Sequence, residues 1–335
     1  MIVPKGQQLV ALELVRNWDT ELRQDFQLGG FAGTGKTSLI PHIRDIFPGL
    51  RTAVVTYTNK AASILRAKGI EDATTVYRIM YDLVDDVNMI WRKRRELPFD
   101  LVIVDESSMI GTTVRDDLES YGCPVLYVGD PFQLKPVKDE AWFLHPDYTL
   151  SEVMRHGDAI LNVVTAIREG RKYPDVDQYD LTSAQIASYD AVICYTNRKR
   201  FELNRRIRKE LGHSERPEAG DRVLMSKTDY DYGLFAGETG TVTSTNGKWK
   251  TAVLFDGETQ SVNFTRTHWM QEGENPYDPD FAGRQCLDWA YALTCHKAQG
   301  SQYDRVLVWV ERMADASWLY TAGSRAIKEL LIGGY

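Results

Sequence analysis

Cysteine is scarce and scattered: Cys123, Cys194, Cys286 and Cys295 are four residues in a chain of 335. They form no CxxC pair and no Cys/His cluster at zinc-ligand spacing, so neither a disulfide framework nor a structural metal is expected, and a reduced, cytoplasmic chain is. Long apolar runs are missing as well. The longest, such as the one ending at Val104, have the length of a strand and fall far short of a membrane span. The first residues lack the basic start and apolar stretch of a secretory signal, so export is not expected. Positive charge is in deficit: 40 Lys and Arg against 47 Asp and Glu give a net −7, which leans away from a nucleic-acid partner. No repeat or low-complexity tract breaks the chain. A hydrophobic content of 43% and a charged content of 26% are those of an ordinary globular protein, and at roughly 150 residues per domain the length suggests two domains.

What is present is an alternation of short β-branched runs with helical segments. Strand signals at 26–28, 52–56, 101–104 and 125–128 are separated by helix-period stretches at 36–47 and 59–68, the layout of a parallel sheet with crossovers. A second α/β segment begins near Leu150, with a helix at 159–169, a strand at 191–195 and a basic helix at 199–211. From 220 to 269 the character changes to short alternating strands with turn signals, which suggests a small β-barrel inserted in the second unit. Residues 81–98, polar and charged around Trp91, read as a short insertion. The expected domains are therefore 1–149, with the insertion at 81–98, and 150–335, with the β insertion at 218–270.

Residues 30–37, GFAGTGKT, match GxxxxGK[ST] between a predicted strand and a predicted helix, the context this phosphate-binding loop requires. Gly30, Gly33 and Gly35 let the backbone N–H groups of the loop, that of Thr34 included, curl around phosphates. The following helix adds the positive end of its dipole, Lys36 reaches the terminal oxygens, and the Thr37 hydroxyl ligates Mg²⁺. The apolar strand 101–104 ends in Asp105 and Glu106. Asp105 can hold the Mg²⁺ hydration shell and Glu106 can take the proton of an attacking water, which implies ATP hydrolysis rather than transfer to a bound acceptor. Gln133, in GDPFQLKPV after another apolar strand, could sense the γ-phosphate, although that segment could also be a Pro-rich turn.

In chain order the segments GQQ (6–8), GFAGTGKT, VVTYTNKAA (54–62), ATTVYRIMY (73–81), VDESSM, GDPFQLKPV, LSEVMRH (150–156), YALTCHKAQGSQYDRV (291–306) and YTAGSRA (320–326) resemble a superfamily 1 DNA helicase of the RecD-like and Dda-like branch. The resemblance implies two RecA-like P-loop domains with parallel sheets, a small inserted SH3-like β-barrel and a short β-hairpin. It implies ATP and Mg²⁺ in the cleft between the two domains and single-stranded and tailed duplex DNA as partners. No membrane role is implied; single-strand-binding or replication proteins are candidate partners, and a monomer is expected. The implied activity is 5′ to 3′ translocation and unwinding, with a DNA-stimulated ATPase that remodels protein–DNA complexes as the alternative. A GTPase is excluded because no NKxD string is present.

The resemblance also implies residue roles. Gln8 would read the adenine edge, with Gln7 as the register alternative, and Arg155 and Arg325 would reach the γ-phosphate. Thr56, Thr58 and Asn59, and in the second domain Thr294, His296 and Lys297, would contact the strand. Thr56 could instead cap the helix from Asn59, and His296 could be a core histidine. Trp91 or Phe99 is a candidate wedge if 81–98 forms a hairpin. Gln302 stands where the family usually has Glu, so a charge-based role is not carried over there. Two basic clusters, seven Lys and Arg among residues 198–209 and four at 92–95, answer the global deficit locally, since such runs can engage phosphates. A basic helix face can equally be solvated surface.

Overall fold

The computed structural model describes residues 3–22, 25–85, 90–136, 139–153, 158–171, 181–229, 231–246 and 249–334. The chain forms two compact units, Met1–His156 and Gly157–Tyr335. The sequence pattern placed the division between 149 and 150.

The first unit runs α1 (Gln7–Arg16), β1 (Phe26–Gly30), α2 (Lys36–Ile46), β2 (Thr52–Thr56), α3 (Asn59–Ala67), β3 (Thr74–Thr75), α4 (Val76–Met80), β4 (Tyr81–Asp85), β5 (Ile90–Lys93), β6 (Leu101–Asp105), α5 (Thr112–Glu119), β7 (Val125–Gly129) and β8 (Tyr148–Leu150). Six strands form a wholly parallel sheet in the order β3-β2-β6-β7-β1-β8. Alternation along each strand divides the core into two layers. Leu28, Val54, Leu101, Ile103, Leu126 and Val128 pack on one face with α1 and α2. Val55, Val102, Val104, Val125 and Tyr127 pack on the other with Val114 and Leu118 of α5. A sheet covered on both faces needs apolar side chains at successive positions, which is why LVIV and VLYV read as unbroken runs. Every phosphate-site loop then emerges at the carboxyl ends of these strands, the edge at which open α/β sheets hold ligands.

Local chemistry sets the helix starts. Thr58 caps α3 by accepting from the Ala61 amide at 3.2 Å, and Thr75 caps α4 through the Arg78 amide at 3.3 Å. The cap of α3 is thus Thr58; Thr56, the alternative raised from sequence, instead donates its hydroxyl to the Thr58 carbonyl at 2.7 Å. β4 and β5 pair antiparallel, so the 81–98 segment contains a hairpin; residues 86–89 lie outside the described residues.

The second unit contains α6 (Asp158–Arg168), α7 (Ser183–Ala187), β9 (Ala191–Cys194), α8 (Asn197–Glu210), β10 (Arg222–Met225), β11 (Thr239–Thr245), β12 (Thr251–Phe255), β13 (Val262–Phe264), β14 (Thr267–Trp269), β15 (Gln285–Trp289), β16 (Ala292–Thr294), α9 (Cys295–Ala298), β17 (Tyr303–Trp309), α10 (Ala316–Gly323) and β18 (Ala326–Gly333). β16-β9-β17-β18 form a second parallel sheet. β13-β12-β11-β10-β15-β14 form a sheet whose ladders are antiparallel except for β14 with β15. Its core joins Val223, Met225, Val242, Val253, Phe255 and Phe264 with Leu287. This sheet extends beyond the expected 218–270 segment because the buried Leu287 belongs to its core and β15 pairs with β10.

Candidate functional site

The phosphate loop connects β1 to α2. Gly33 and Gly35 have φ of 83° and 81°, left-handed values that favour glycine, and they let the loop turn its amides inward at the start of α2. Gly30 is packed too closely for a side chain: a Cβ there would lie 2.9 Å from the Lys36 Cγ and the Thr34 Oγ1. Lys36 folds back over the loop and donates to the carbonyls of Gly30 and, at 3.1 Å, Phe31. Gln8 is buried against the same loop, donating to the Thr34 carbonyl at 2.9 Å and accepting from the Lys5 amide. The register alternative, Gln7, is engaged elsewhere: its carboxamide oxygen accepts from the amides of Ser151 and Glu152 at 2.6 and 3.0 Å.

The strand order sets β6 two places from β1, and the Thr37 hydroxyl donates to Asp105 Oδ2 at 3.0 Å. Asp105 is almost fully buried. Burial, and next the neighbouring Glu106 carboxylate, raise its carboxyl above the ordinary carboxylate range, while the Glu106 amide, Thr37 and Lys36 oppose the shift. Glu106 has φ 55°, the single positive φ outside glycine among the described residues. Left-handed backbone costs a side-chain-bearing residue about 1–2 kcal/mol, so the turn after β6 holds this carboxylate in a pose the chain would not choose freely. Gln133 is buried after β7, its amide nitrogen 3.4 Å from an Asp130 carboxylate oxygen.

A hydroxyl and a carboxylate side by side are hard oxygen donors, the set that suits Mg²⁺ retaining most of its waters. The buried carboxylate with a raised proton affinity is a place where a cation would be stabilising. Left-handed glycines, Lys36 and this donor pair therefore fit a nucleoside triphosphate with its metal.

In the second unit, Arg325 is buried after α10, donating to the Thr321 carbonyl at 3.0 Å and the Ser324 hydroxyl at 2.7 Å. Arg155 lies outside the described residues. Thr56, at the end of β2, is buried, whereas Thr58 and Asn59 are partly exposed at the start of α3. Thr294 is buried at the end of β16, His296 is exposed, which removes the core-histidine alternative, and Lys297 is half-buried.

A family model described as an AAA domain matches residues 12–186, just over half of the chain, and one described as a UvrD-like helicase C-terminal domain matches residues 289–332. The chain belongs to the AAA domain family. Among its relatives is the ATP-dependent RecD2 DNA helicase of Deinococcus radiodurans, 26% identical over 89% of this chain and 45% of that protein. The RecBCD enzyme subunit RecD of Mycolicibacterium smegmatis is 24% identical over 92% of this chain and 68% of that one. The chain thus spans about half the length of the first of these. In fold it is similar to the Pif1 helicase of Bacteroides in complex with ADP-AlF3 and single-stranded DNA, with a TM-score of 0.70, 19% identity and coverage of 99% and 92% of the two chains. The Pif1 helicase of Candida albicans gives 0.63 at 20% identity, covering 100% and 96%.

Three features of this chain were not legible in the sequence. Tyr57, Tyr77 and Tyr81 form a line of rings with successive centroids 5.8 Å apart, leading from the turn before α3 to the base of the hairpin. The four-residue spacing of Tyr77 and Tyr81, about one helical turn, was the available signal for two of the three. Phe31 of the phosphate loop meets Phe132 edge to face at 5.7 Å. Third, the basic helix α8 is largely engaged within the protein. Arg200 pairs with Asp288, Arg208 with Asp221, Lys199 with Glu202 and Arg205 with Glu272, while Arg206 donates to Ser183 and Leu181. Alternation of charge with Phe201, Leu203 and Ile207 was the hint that this helix has a packed side.

The hairpin is anchored at its base. The Tyr121 hydroxyl donates to the carbonyls of Met80 and Arg94, and Lys93 pairs with Asp117 at 2.6 Å. Of the two candidate wedges, Trp91 is exposed, while Phe99 is partly buried and packs against the core. In the β insertion Trp249 is exposed and Tyr232 packs edge to face on Phe264; Tyr230 lies outside the described residues. Among the described residues no helix is long and apolar enough to cross a membrane, and no group of three or more His, Cys, Asp or Glu is placed to hold a metal.

Proposed function

We propose that this chain is an ATP-dependent DNA helicase that translocates 5′ to 3′ on single-stranded DNA and unwinds tailed duplex. The observation that carries the reading is the Thr37–Asp105 pair beside a glycine-shaped phosphate loop. The D. radiodurans relative is named an ATP-dependent DNA helicase, and a fold neighbour is named as bound to single-stranded DNA.

Bound ATP with its Mg²⁺ would supply the phosphoryl group and its leaving group. Lys36 would exchange the loop carbonyls for phosphate oxygens. Thr37 and Asp105 would hold the metal, and Glu106 would take the proton of the attacking water from its fixed left-handed pose. Gln8, touching the loop at Thr34, would report adenine to it, and Gln133 would sense the terminal phosphate. Arg325, with Arg155, would stabilise the charge that develops on the phosphoryl oxygens. Thr56, Thr58 and Asn59 in the first unit, and Thr294, His296 and Lys297 in the second, would grip the strand, the partly exposed Thr58, Asn59, His296 and Lys297 being the ones open to phosphates. The exposed Trp91 would separate bases at the fork, and the β insertion would take the place of the SH3-like module that the family resemblance implies.

The test is ATP hydrolysis with and without single-stranded DNA, together with unwinding of 5′-tailed against 3′-tailed duplex. Hydrolysis stimulated by DNA and abolished by Lys36→Ala, with unwinding confined to the 5′ tail, is expected. Unstimulated hydrolysis, or unwinding from the 3′ tail, would contradict the reading.

A further inference from the structure

Arg200, Asn204 and Arg208 recur every four residues on one face of α8, and each is buried. Arg208 donates to both carboxylate oxygens of Asp221 at 2.9 and 3.0 Å and lies over the Trp289 ring. Asn204 donates to the Ala292 carbonyl and accepts from the Tyr291 and Ala292 amides. Arg200 donates to Asp288 Oδ2 at 2.5 Å, with both side chains at least 97% buried. That same oxygen lies 3.8 Å from the ammonium of Lys297, which arrives from α9. One carboxylate is thus shared by two cations from different elements.

The two cations are not equivalent. A guanidinium keeps its proton in a protein, whereas an ammonium gives its proton up when it is desolvated beside another positive charge. About a third of the Lys297 side chain reaches solvent, yet desolvation first, and Arg200 next, push its pKa down to about 8, with Asp288 holding it up. Among the described residues, the charges acting on Lys297 are Arg200 from α8 and Asp288 from β15. Asp288 is itself fixed, since its other oxygen accepts from the Trp289 amide at 2.8 Å.

We propose that Asp288 is the positioning residue that keeps Lys297 charged and aimed at the DNA backbone in the presence of the buried Arg200. The inference rests on the reading of Lys297 as a phosphate contact. When Lys297 engages a phosphate it leaves a carboxylate still neutralised by Arg200, so Asp288 is not stranded as an unpaired buried charge. A lysine held in this way is charged before DNA arrives and keeps its partner satisfied afterwards.

The experiment uses the full chain and a labelled oligo-dT, with affinity measured from pH 6 to 9 and across salt concentrations. Lys297→Ala should weaken binding and reduce the slope of log K against log salt by about 0.7, the value for one phosphate contact on a single strand. Asp288→Asn should bind about tenfold more weakly at pH 8.5 and recover toward wild type at pH 6. In the Lys297→Ala background the same change should cost nothing further. Because Asp288→Asn leaves a buried arginine unpaired, the companion Arg200→Met/Asp288→Asn removes both charges; its pH profile should return to that of wild type. Titration of Lys297, followed by NMR of ¹³Cε-labelled lysine without DNA, should give a lower pKa in Asp288→Asn than in wild type. An unchanged pKa, or a loss that persists in the Lys297→Ala background, overturns the proposal. A wild-type chain that binds no DNA overturns the functional reading instead, while the NMR titration still decides whether Asp288 sets the charge of Lys297.

Discussion

The hydroxyl of Thr37 and the carboxylate of Asp105 meet at 3.0 Å, although 68 residues separate them in the chain. Two strands of the parallel sheet bring them together: β1 feeds the loop before Thr37, and β6 ends in Asp105. Asp105→Asn keeps the size and removes the charge that would hold the metal. ATP hydrolysis should fall by about 10²-fold or more, with folding retained by circular dichroism. Hydrolysis near the wild-type rate would remove Asp105 from the site.

The same carboxylate should leave a mark on stability. Its folded-state pKa lies above its unfolded one, so between the two values the folded chain binds more protons than the unfolded chain. Without nucleotide or metal, stability should therefore decline as pH rises through that interval, from the ordinary Asp range upward. Asp105→Asn should flatten this part of the profile. Denaturant titrations at pH 4 to 7 would show it, and a slope unaffected by the substitution would contradict the assignment.

Glu106 separates function from stability. Its φ of 55° is comfortable for glycine, so Glu106→Gly should raise stability by about 1 kcal/mol while abolishing hydrolysis. Glu106→Gln, which retains the strained backbone, should abolish hydrolysis without that gain. Thermal unfolding alongside an ATPase assay distinguishes the two.

Asn204 is the middle rung of the α8 face. Replacing it by Ala strands the Tyr291 and Ala292 amides and the Ala292 carbonyl in a buried setting, and should cost about 3 kcal/mol. A loss below about 0.5 kcal/mol in chemical denaturation would indicate that these groups find other partners.

Trp91 stands exposed on β5, opposite Leu83. Trp91→Ala should lower unwinding of a forked duplex severalfold while leaving DNA-stimulated ATP hydrolysis unchanged. Equal loss of both would indicate that the ring supports the unit rather than the fork.

Much of the first unit could be read from sequence because its signals are local. GFAGTGKT sets the turn, and LVIVD sets a strand buried on both faces with its acid at the carboxyl edge. Charge pairing is a long-range property and could not be read this way. The seven basic residues at 198–209 resembled a solvent-facing track, yet Arg200, Arg205 and Arg208 have partners in Asp288, Glu272 and Asp221, which lie up to 88 residues away in the chain. The extent of the insertion was missed for a related reason. Leu287 and Trp289 have the alternation of any strand, and only the pairing of β15 with β10 assigns them to the mixed sheet.

That pairing has a practical side for anyone rebuilding the molecule. Only Ala290 and Tyr291 separate β15 from β16, so the chain passes from the mixed sheet into the parallel one with almost no slack. The insertion is therefore not a cassette to be excised or transplanted at its sequence borders. Deleting 218–270 would leave the Leu287 side chain bare and remove Asp221 from Arg208. A clean graft would have to carry β15 and α8 along with it.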